Sequence, residues 1–155
     1  MKELNLPEYS FKITGDPGSE MIFDQIRRKY VRLTPEEWVR QNFVEYLVRE
    51  GKYPRSLIGI EVPITLNTMR RRVDILVHNR HGKPVMIVEC KSPDVSLDEK
   101  VADQAMAYNM QLKVRYFIIT NGVMNYAYRY GSGDVRPESV FVIPQYDELI
   151  ADDLP

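Results

Sequence analysis

The chain has 155 residues, enough for about one domain with a single buried core. A composition of 44% hydrophobic and 28% charged residues is typical of a globular protein and argues against disorder. The formal net charge of −1 gives no overall bias toward nucleic acid, and the single cysteine excludes a disulfide framework. No apolar run approaches the ~18 residues that span a membrane, and the first residues lack a signal-peptide core. We therefore expect a cytoplasmic protein with no membrane partner.

The chain is predicted to consist of an N-terminal arm and one domain. Residues 1–20 are polar and rich in proline and glycine, which predicts an irregular arm with one short strand near residues 11–13. Residues 21–155 are predicted to form a single domain, starting with a short strand at 21–24. Residues 27–32 are a basic cluster, and such a cluster is usually a solvated face but could also contact phosphates.

The first helix has a clear start signal. Thr34 is its predicted N-cap, Pro35 takes the first helical position, and Glu37 is the capping-box partner of Thr34. The helix is predicted to end near Gly51 and to bury an apolar stripe; the stripe consists of Trp38, Val39, Phe43, Tyr46 and Leu47. Glu37 has two competing interpretations, the helix cap and a place at a metal site.

A strand at residues 56–64 precedes a predicted β-hairpin of residues 70–78 and 84–91. If Asp74 lies opposite Glu89, His78 falls opposite Val85 and residues 80–83 close the loop. Alternation along the second strand puts Glu89 and Lys91 on one face and turns Val88 and Cys90 to the other.

Charged groups inside apolar strands favour a functional interpretation, because burying an ion costs several kcal/mol unless it is paired or binds a metal. Two neighbouring carboxylates suit Mg²⁺ or Mn²⁺, and a nearby lysine can orient a water molecule for phosphodiester hydrolysis. The alternative is an edge-strand ion pair between Glu89 and Lys91 beside a solvated Asp74. The basic residues 70–72 are either exposed or able to hold a phosphate.

The second half of the chain predicts a crossover and a hairpin. A capping box at residues 96–99 opens a helix to about Leu112, in which Gln104 and Tyr108 lie one turn apart. Strand, helix and strand in this order favour parallel pairing of the strand at 114–120 with the strand before the helix. Asn121 and Gly122 form a hairpin turn into residues 123–130, where alternating tyrosines indicate half-buried sheet surface. A strand at 139–143 and a short helix at 146–151 complete the prediction.

The arrangement of these elements resembles the PD-(D/E)XK nuclease superfamily, and more narrowly the N-terminal nuclease domain of type I restriction enzyme R subunits. The residues that carry the resemblance are 35–41, 72–75 and 87–93, together with Gln104 and Tyr108. It extends over roughly residues 25–145. It implies an α/β (α+β) fold with a restriction-endonuclease-like core, in which helices flank a mixed central β-sheet.

The resemblance also implies a function, a metal-dependent DNA endonuclease. Asp74, Glu89 and the backbone carbonyl of Cys90 would then hold Mg²⁺ or Mn²⁺, and Lys91 would position the attacking water. Glu37 corresponds to the acidic residue on the family's first helix, with Gln41 and Glu45 as rivals. Gln104 and Tyr108 would line the site.

The expected partners are DNA and other restriction-modification subunits, and the analogy with restriction-type enzymes leaves a homodimer open. The sequence lacks the phosphate-loop motif of an ATP-driven motor. One alternative is a non-catalytic module of the same fold that binds nucleic acid or a partner, which the near-neutral charge favours. The other is a structural α/β domain, which requires Asp74 and Glu89 to lie more than about 8 Å apart.

Overall fold

The computed structural model describes residues 1–66, 68–109, 112–131 and 137–151, apart from four side chains within these ranges, those of Leu66, Met69, Tyr108 and Asn109. Within these described residues, no helix is long and apolar enough to cross a membrane. A small antiparallel sheet comes first, with the strands β1 (Ile13–Thr14), β2 (Met21–Asp24) and β3 (Lys29–Arg32). It joins the arm predicted for residues 1–20 to the residues that follow. The strand β3 is not among the elements predicted from the sequence.

The central sheet has six strands in the order β4-β5-β6-β7-β8-β9, and only the β6–β7 pair is parallel. The strands are β4 (Ile58–Leu66), β5 (Met69–His78), β6 (Pro84–Cys90), β7 (Tyr116–Thr120), β8 (Asn125–Arg129) and β9 (Glu138–Val140). Three helices accompany them, α1 (Pro35–Arg49), α2 (Glu99–Asn109) and α3 (Tyr146–Ala151). This mixed α+β architecture confirms the predicted fold class, including the parallel crossover through α2.

The β5–β6 hairpin has the predicted register over most of its length. Ile75 pairs with Val88 and Val77 with Met86. The predicted pairing of His78 with Val85 is wrong, because the register shifts after Val77 and His78 pairs with Pro84. Proline has no N–H to donate to a regular ladder, which is consistent with an irregularity at this position.

Two apolar clusters hold the helices on opposite faces of the sheet. The α1-side cluster contains Val39, Phe43 and Leu47 of α1, and also Val88 and Cys90 of β6, whose predicted inward direction is confirmed. The α2-side cluster contains Ala102 of α2, Ile87 of β6 and Tyr128 of β8. Each fully buried large apolar side chain contributes about 1.5–3 kcal/mol to folding, so the two clusters fix both helices against the strands.

The helix starts agree only in part with the predictions. Thr34 caps α1 as predicted, since its hydroxyl accepts the backbone N–H of Glu37 at 3.0 Å. The predicted capping box at Ser96 is wrong: the carboxylate of Asp98 accepts the N–H of Val101 at 2.8 Å, so Asp98 is the cap of α2. Aspartate and serine are equally good caps, and the sequence offered both within three residues.

The N-terminal arm is tied to the turn between β7 and β8. The backbone N–H of Asn5 donates to the carbonyl of Gly122 at 2.8 Å, and the backbone N–H of Lys91 donates to Thr120 in the residues just before that turn. Leu4 lies over Gly122, where an added Cβ would approach within 2.7 Å of the leucine side chain.

We predict that Gly122→Ala destabilises the protein more than Gly82→Ala. Both glycines have a left-handed backbone, with φ of +84° and +82°, but only Gly122 has a neighbour within 4 Å. The backbone term is about 1–2 kcal/mol for each, and contact with Leu4 adds to it at Gly122. Urea unfolding measures the difference. In a Leu4→Ala background the two substitutions should cost the same, and a persistent gap would contradict this account.

Candidate active site

Asp74 lies where β5 is in contact with β4, β6 and α1. The pairing of β5 with β6 reaches Ile75 and Val88, and beyond it the backbone N–H of Cys90 donates to Asp74 Oδ2 at 2.8 Å. The strand is irregular here, because Val73 packs in the α2-side cluster and Ile75 in the α1-side cluster, whereas alternate residues of a regular strand share a face. The carboxylate of Asp74 therefore lies against the backbone of β6 at Cys90, the residue after Glu89, and a shared site of Asp74 and Glu89 stays a prediction.

Arg40 of α1 is buried against Asp74. Its Nη2 donates to Asp74 Oδ1 at 2.9 Å and its Nη1 donates to Glu37 Oε1 at 2.5 Å. Burial opposes its charge, but the attraction of Glu37 and Asp74 outweighs burial, so the pKa of Arg40 is raised above its ordinary value. The guanidinium is therefore charged at any pH at which the protein folds, and it fixes the Asp74 carboxylate.

Glu37 belongs to this buried ion network. Its carboxylate accepts hydrogen bonds from Arg27, Arg40 and Gln41, with the Arg27 Nη2 at 2.8 Å and the Gln41 Nε2 at 2.9 Å. Arg27 comes from the turn between β2 and β3 and connects the small sheet to α1. The carboxylate of Glu37 therefore serves neither as a reciprocal cap nor, in this arrangement, as a group directed at Glu89 and Lys91.

Glu36, one residue earlier, faces the site instead. Partial burial, then the nearby Asp74 carboxylate, raises the pKa of Glu36, while Arg40 and Lys91 oppose the rise. Its carboxylate lies 3.5 Å from Arg40 Nη2 and is half exposed. Glu36 is therefore a carboxylate of α1 that senses the charges of Asp74 and Lys91.

Glu61 of β4 is a further acidic neighbour of Asp74. It is flanked by the pairs of Ile60 with Ile75 and of Val62 with Val73, and its φ of +49° is rare for a residue with a side chain. Its carboxylate lies 3.5 to 3.6 Å from three guanidinium groups, those of Arg27, Arg40 and Arg72. Such a backbone costs of order 1–3 kcal/mol and persists only where the surroundings enforce it.

Glu89 and Lys91 lie at the carboxyl end of the central strand β6. Lys91 Nζ and Arg71 Nη2 are each 3.8 Å from Glu89 Oε1, and the side chain of Lys91 is 39% exposed. The ammonium is thus accessible while staying close to a carboxylate of the site. A phosphate oxygen or a water molecule can reach it from solvent.

Carboxylate oxygens such as those of Asp74 fit a hard divalent cation, but the site offers few protein ligands. Asp74 accepts one hydrogen bond on each oxygen, which leaves a lone pair on each for a further ligand. Mg²⁺ is often held by only one or two carboxylates and several waters. No group of three or more His, Cys, Asp or Glu side chains able to hold a metal occurs within the described ranges. Burial raises the pKa of the Cys90 thiol, so the thiol is neutral and only the predicted carbonyl of Cys90 remains a candidate ligand.

The other predicted site residues are not in contact with Asp74, or their side chains lie outside the described residues. Gln104 is exposed on α2, beside a shallow depression lined by Asp98 and Asp103. Tyr108 belongs to α2, but its side chain lies outside the described residues. Of the two rivals of Glu37, Gln41 donates to Glu37 itself, and Glu45 binds Arg49 and Arg55 farther along the helix. The predicted roles of Gln104, Tyr108 and Glu37 stay predictions.

A family profile described as type I restriction enzyme R protein N terminus (HSDR_N) matches residues 35–144. The chain belongs to this family. A search of curated proteins found no match. Among solved structures, the chain is similar to a fragment of a protein described as an HsdR subunit of a type I restriction enzyme from Vibrio vulnificus YJ016, at a TM-score of 0.57 and 20% sequence identity.

The similarity to the HsdR fragment supports the same fold. The aligned region covers 77% of this chain and 25% of the Vibrio chain, so this chain spans about a quarter of its structural relative. In this member of the R protein N-terminal family, the matched residues include Asp74, Glu89 and Lys91, whereas β1–β3 precede the matched region.

Three residues of the site were missed by sequence reasoning, namely Arg40, Glu36 and Glu61. A signal existed for each. Arg40 stands three and four residues after Glu37 and Glu36, a spacing that brings side chains together on one helix face. Glu61 is flanked by Ile60 and Val62 in a strand, just as Asp74 is flanked by Val73 and Ile75.

We predict that Arg40→Met lowers the free energy of unfolding by about 3–5 kcal/mol, because it leaves Glu37 and Asp74 as buried charges without their shared cation. Arg49→Met on the same helix is the matched control. Arg49 is 61% exposed and pairs with Glu45, so its loss should cost less than ~1 kcal/mol. Urea unfolding of both variants checks this, and equal costs would contradict a structural role of the buried network.

Asp24 gives a pH-dependent prediction. Burial by itself raises the pKa of Asp24, but hydrogen bonds from the Arg27 side chain and from the backbone of Arg27 and Ile26 outweigh it, so the pKa is lowered. The ionised form therefore stabilises the fold above the unfolded pKa of about 3.9, and this contribution is lost as the pH falls through the lower folded pKa.

We expect Asp24→Asn to be less stable than the wild type by about 1–3 kcal/mol at pH 7. The difference should stay constant down to about pH 5 and narrow below about pH 4. Unfolding free energies measured from pH 7 to pH 3 test this. A difference that is unchanged at pH 3 would show that ionisation of Asp24 is not what matters.

Proposed function

We propose that this chain is a metal-dependent DNA endonuclease of the restriction type. One observation carries the proposal: in a member of the R protein N-terminal family, Asp74 Oδ2 accepts the backbone N–H of Cys90, the residue between Glu89 and Lys91, and Lys91 Nζ lies 3.8 Å from Glu89 Oε1. Asp74, Glu89 and the carbonyl of Cys90 would hold Mg²⁺ or Mn²⁺. When bound, the cation supplies Lewis acidity to the phosphate and lowers the pKa of water.

The side chains of the chain itself provide the remaining functions. Arg40 and the N–H of Cys90 hold both oxygens of Asp74, so this carboxylate is oriented before any ligand arrives. Lys91 can hold a water or a phosphate oxygen through its partly exposed ammonium. Glu36 adds a carboxylate with a raised pKa beside them, which makes it a candidate proton carrier.

The alternative is a DNA-binding module without catalysis. One observation favours it: the guanidinium of Arg40 already neutralises Asp74 at 2.9 Å, so a cation has less to gain there. Lys91, by contrast, lies beside Glu89 rather than beside an unrelated carboxylate, which favours the enzyme. DNA and other restriction-modification subunits are the proposed partners. A cytoplasmic location and a homodimer remain predictions.

Plasmid cleavage tests the proposal directly. With Mg²⁺ present we expect the wild type to nick or linearise supercoiled DNA, and Lys91→Ala or Glu89→Gln to lose at least about a hundredfold in rate. Lys113→Ala, which removes an exposed ammonium before β7 at the end of the sheet opposite Lys91, should cleave like the wild type. Equal rates for Lys91→Ala and Lys113→Ala would reject Lys91 as a catalytic residue.

A further inference from the structure

The turn between β2 and β3 brings unassigned positive charge to the candidate active site. Residues 25–33 contain four basic and no acidic residues, in a protein whose 21 basic and 22 acidic residues nearly balance. Residues 70–72 are three arginines in a row. The turn lies before the residues that the family profile matches, so the family assigns no role to it.

These two basic segments meet at Glu61. Arg27 Nη1 and Arg72 Nη1 lie 3.5 and 3.6 Å from the same oxygen, Glu61 Oε2, so the two guanidinium groups are at most about 7 Å apart. Arg72 is two residues before Asp74 on β5, a distance of about 7 Å along an extended strand. The basic turn, the arginines of β5 and the candidate site are therefore contiguous.

The charges at this junction differ in their availability. Arg27 is committed to Asp24, Glu37 and Glu61. Arg28, Lys29 and Arg70 are exposed, and the Arg72 side chain is 71% exposed. Within the part of the chain that the structure describes, Arg28, Lys29 and Arg70 make no ion pair.

Hydrogen bonds to the buried Asp24 fix the geometry of the turn. The buried Asp24 Oδ1 accepts the backbone N–H groups of Ile26 and Arg27 at 2.7 and 3.1 Å, and the N–H of Arg28 donates to the Asp24 carbonyl at 2.7 Å. Basic groups on a fixed turn lose less conformational freedom on binding than the same groups on a mobile loop.

We infer that Arg28 of the turn, Lys29 at the start of β3, and Arg70 and Arg72 of β5 form one surface, the turn–β5 surface, that binds the phosphate backbone of duplex DNA beside Asp74 and Lys91. This inference rests on the proposed function and extends it to a segment outside the family region. A DNA backbone that approaches Asp74, Glu89, Glu36 and Glu61 meets like charge, and the turn–β5 surface offsets this repulsion.

The test is binding of a fluorescein-labelled 30-base-pair duplex, followed by anisotropy in EDTA so that no cleavage occurs. We expect Arg28→Ala/Lys29→Ala to weaken binding about tenfold near 0.1 M salt and to reduce the slope of log K against log salt by up to about 2. Arg70→Ala/Arg72→Ala is a second, independent pair and should act in the same direction.

Lys52→Ala/Lys113→Ala is the matched control. It removes the same charge from exposed residues near the opposite end of the sheet, where β4 and β7 begin, and should bind like the wild type. Equal weakening by the turn pair and the control pair would show a mere net-charge effect and overturn the inference. So would wild-type affinity of both the turn pair and the β5 pair, or a preference for RNA of the same sequence.

Failure of this inference is distinguishable from failure of the proposed function. If the wild type cleaves plasmid but the turn and β5 variants bind and cleave normally, the nuclease proposal stands and the turn–β5 surface falls. If the wild type does not bind duplex DNA at all, the surface is rejected, and the plasmid assay alone decides whether the nuclease proposal is rejected with it.

Discussion

The candidate site depends on one buried guanidinium. Arg40 joins Glu37 on its own helix to Asp74 on β5, and it is almost fully buried. Its Nε has no hydrogen-bond partner among the described residues, and a buried donor without a partner costs about 1–3 kcal/mol. Apolar residues in place of the whole network, rather than of Arg40 alone, would avoid that cost, so stability alone does not account for a buried charge network here.

The network around Arg40 explains why the chain places strained and charged groups together. Arg27 extends it to the small N-terminal sheet, and Glu61, with its left-handed backbone, reaches three arginines at once. The alternating charges leave Asp74 oriented from two sides, while Lys91 stays accessible at the end of β6. A carboxylate held from two sides is oriented before any ligand arrives, which is the kind of preorganisation that the proposed function would use.

Much of the fold could be predicted from local signals. The cap at Thr34, the β5–β6 register up to Val77 and the crossover through α2 follow from residue types and spacing, and all are confirmed. The cap at Ser96 and the pairing of His78 were wrong, because a nearby Asp98 competes for one and Pro84 disturbs the other. Sequence spacing does not reveal which distant charges meet, so the contacts of Glu61 with Arg27, Arg40 and Arg72 could not be predicted.

The central claim is that Asp74 and Glu89 form a divalent-cation site despite the ion pair with Arg40. Calorimetric titration of Mn²⁺ into the wild type, Asp74→Asn and Glu89→Gln tests it without relying on cleavage. The account predicts binding of one ion per chain in the wild type and its loss in both variants. Absence of binding at millimolar Mn²⁺, or unchanged binding in Asp74→Asn, would contradict the claim and leave a DNA-binding module.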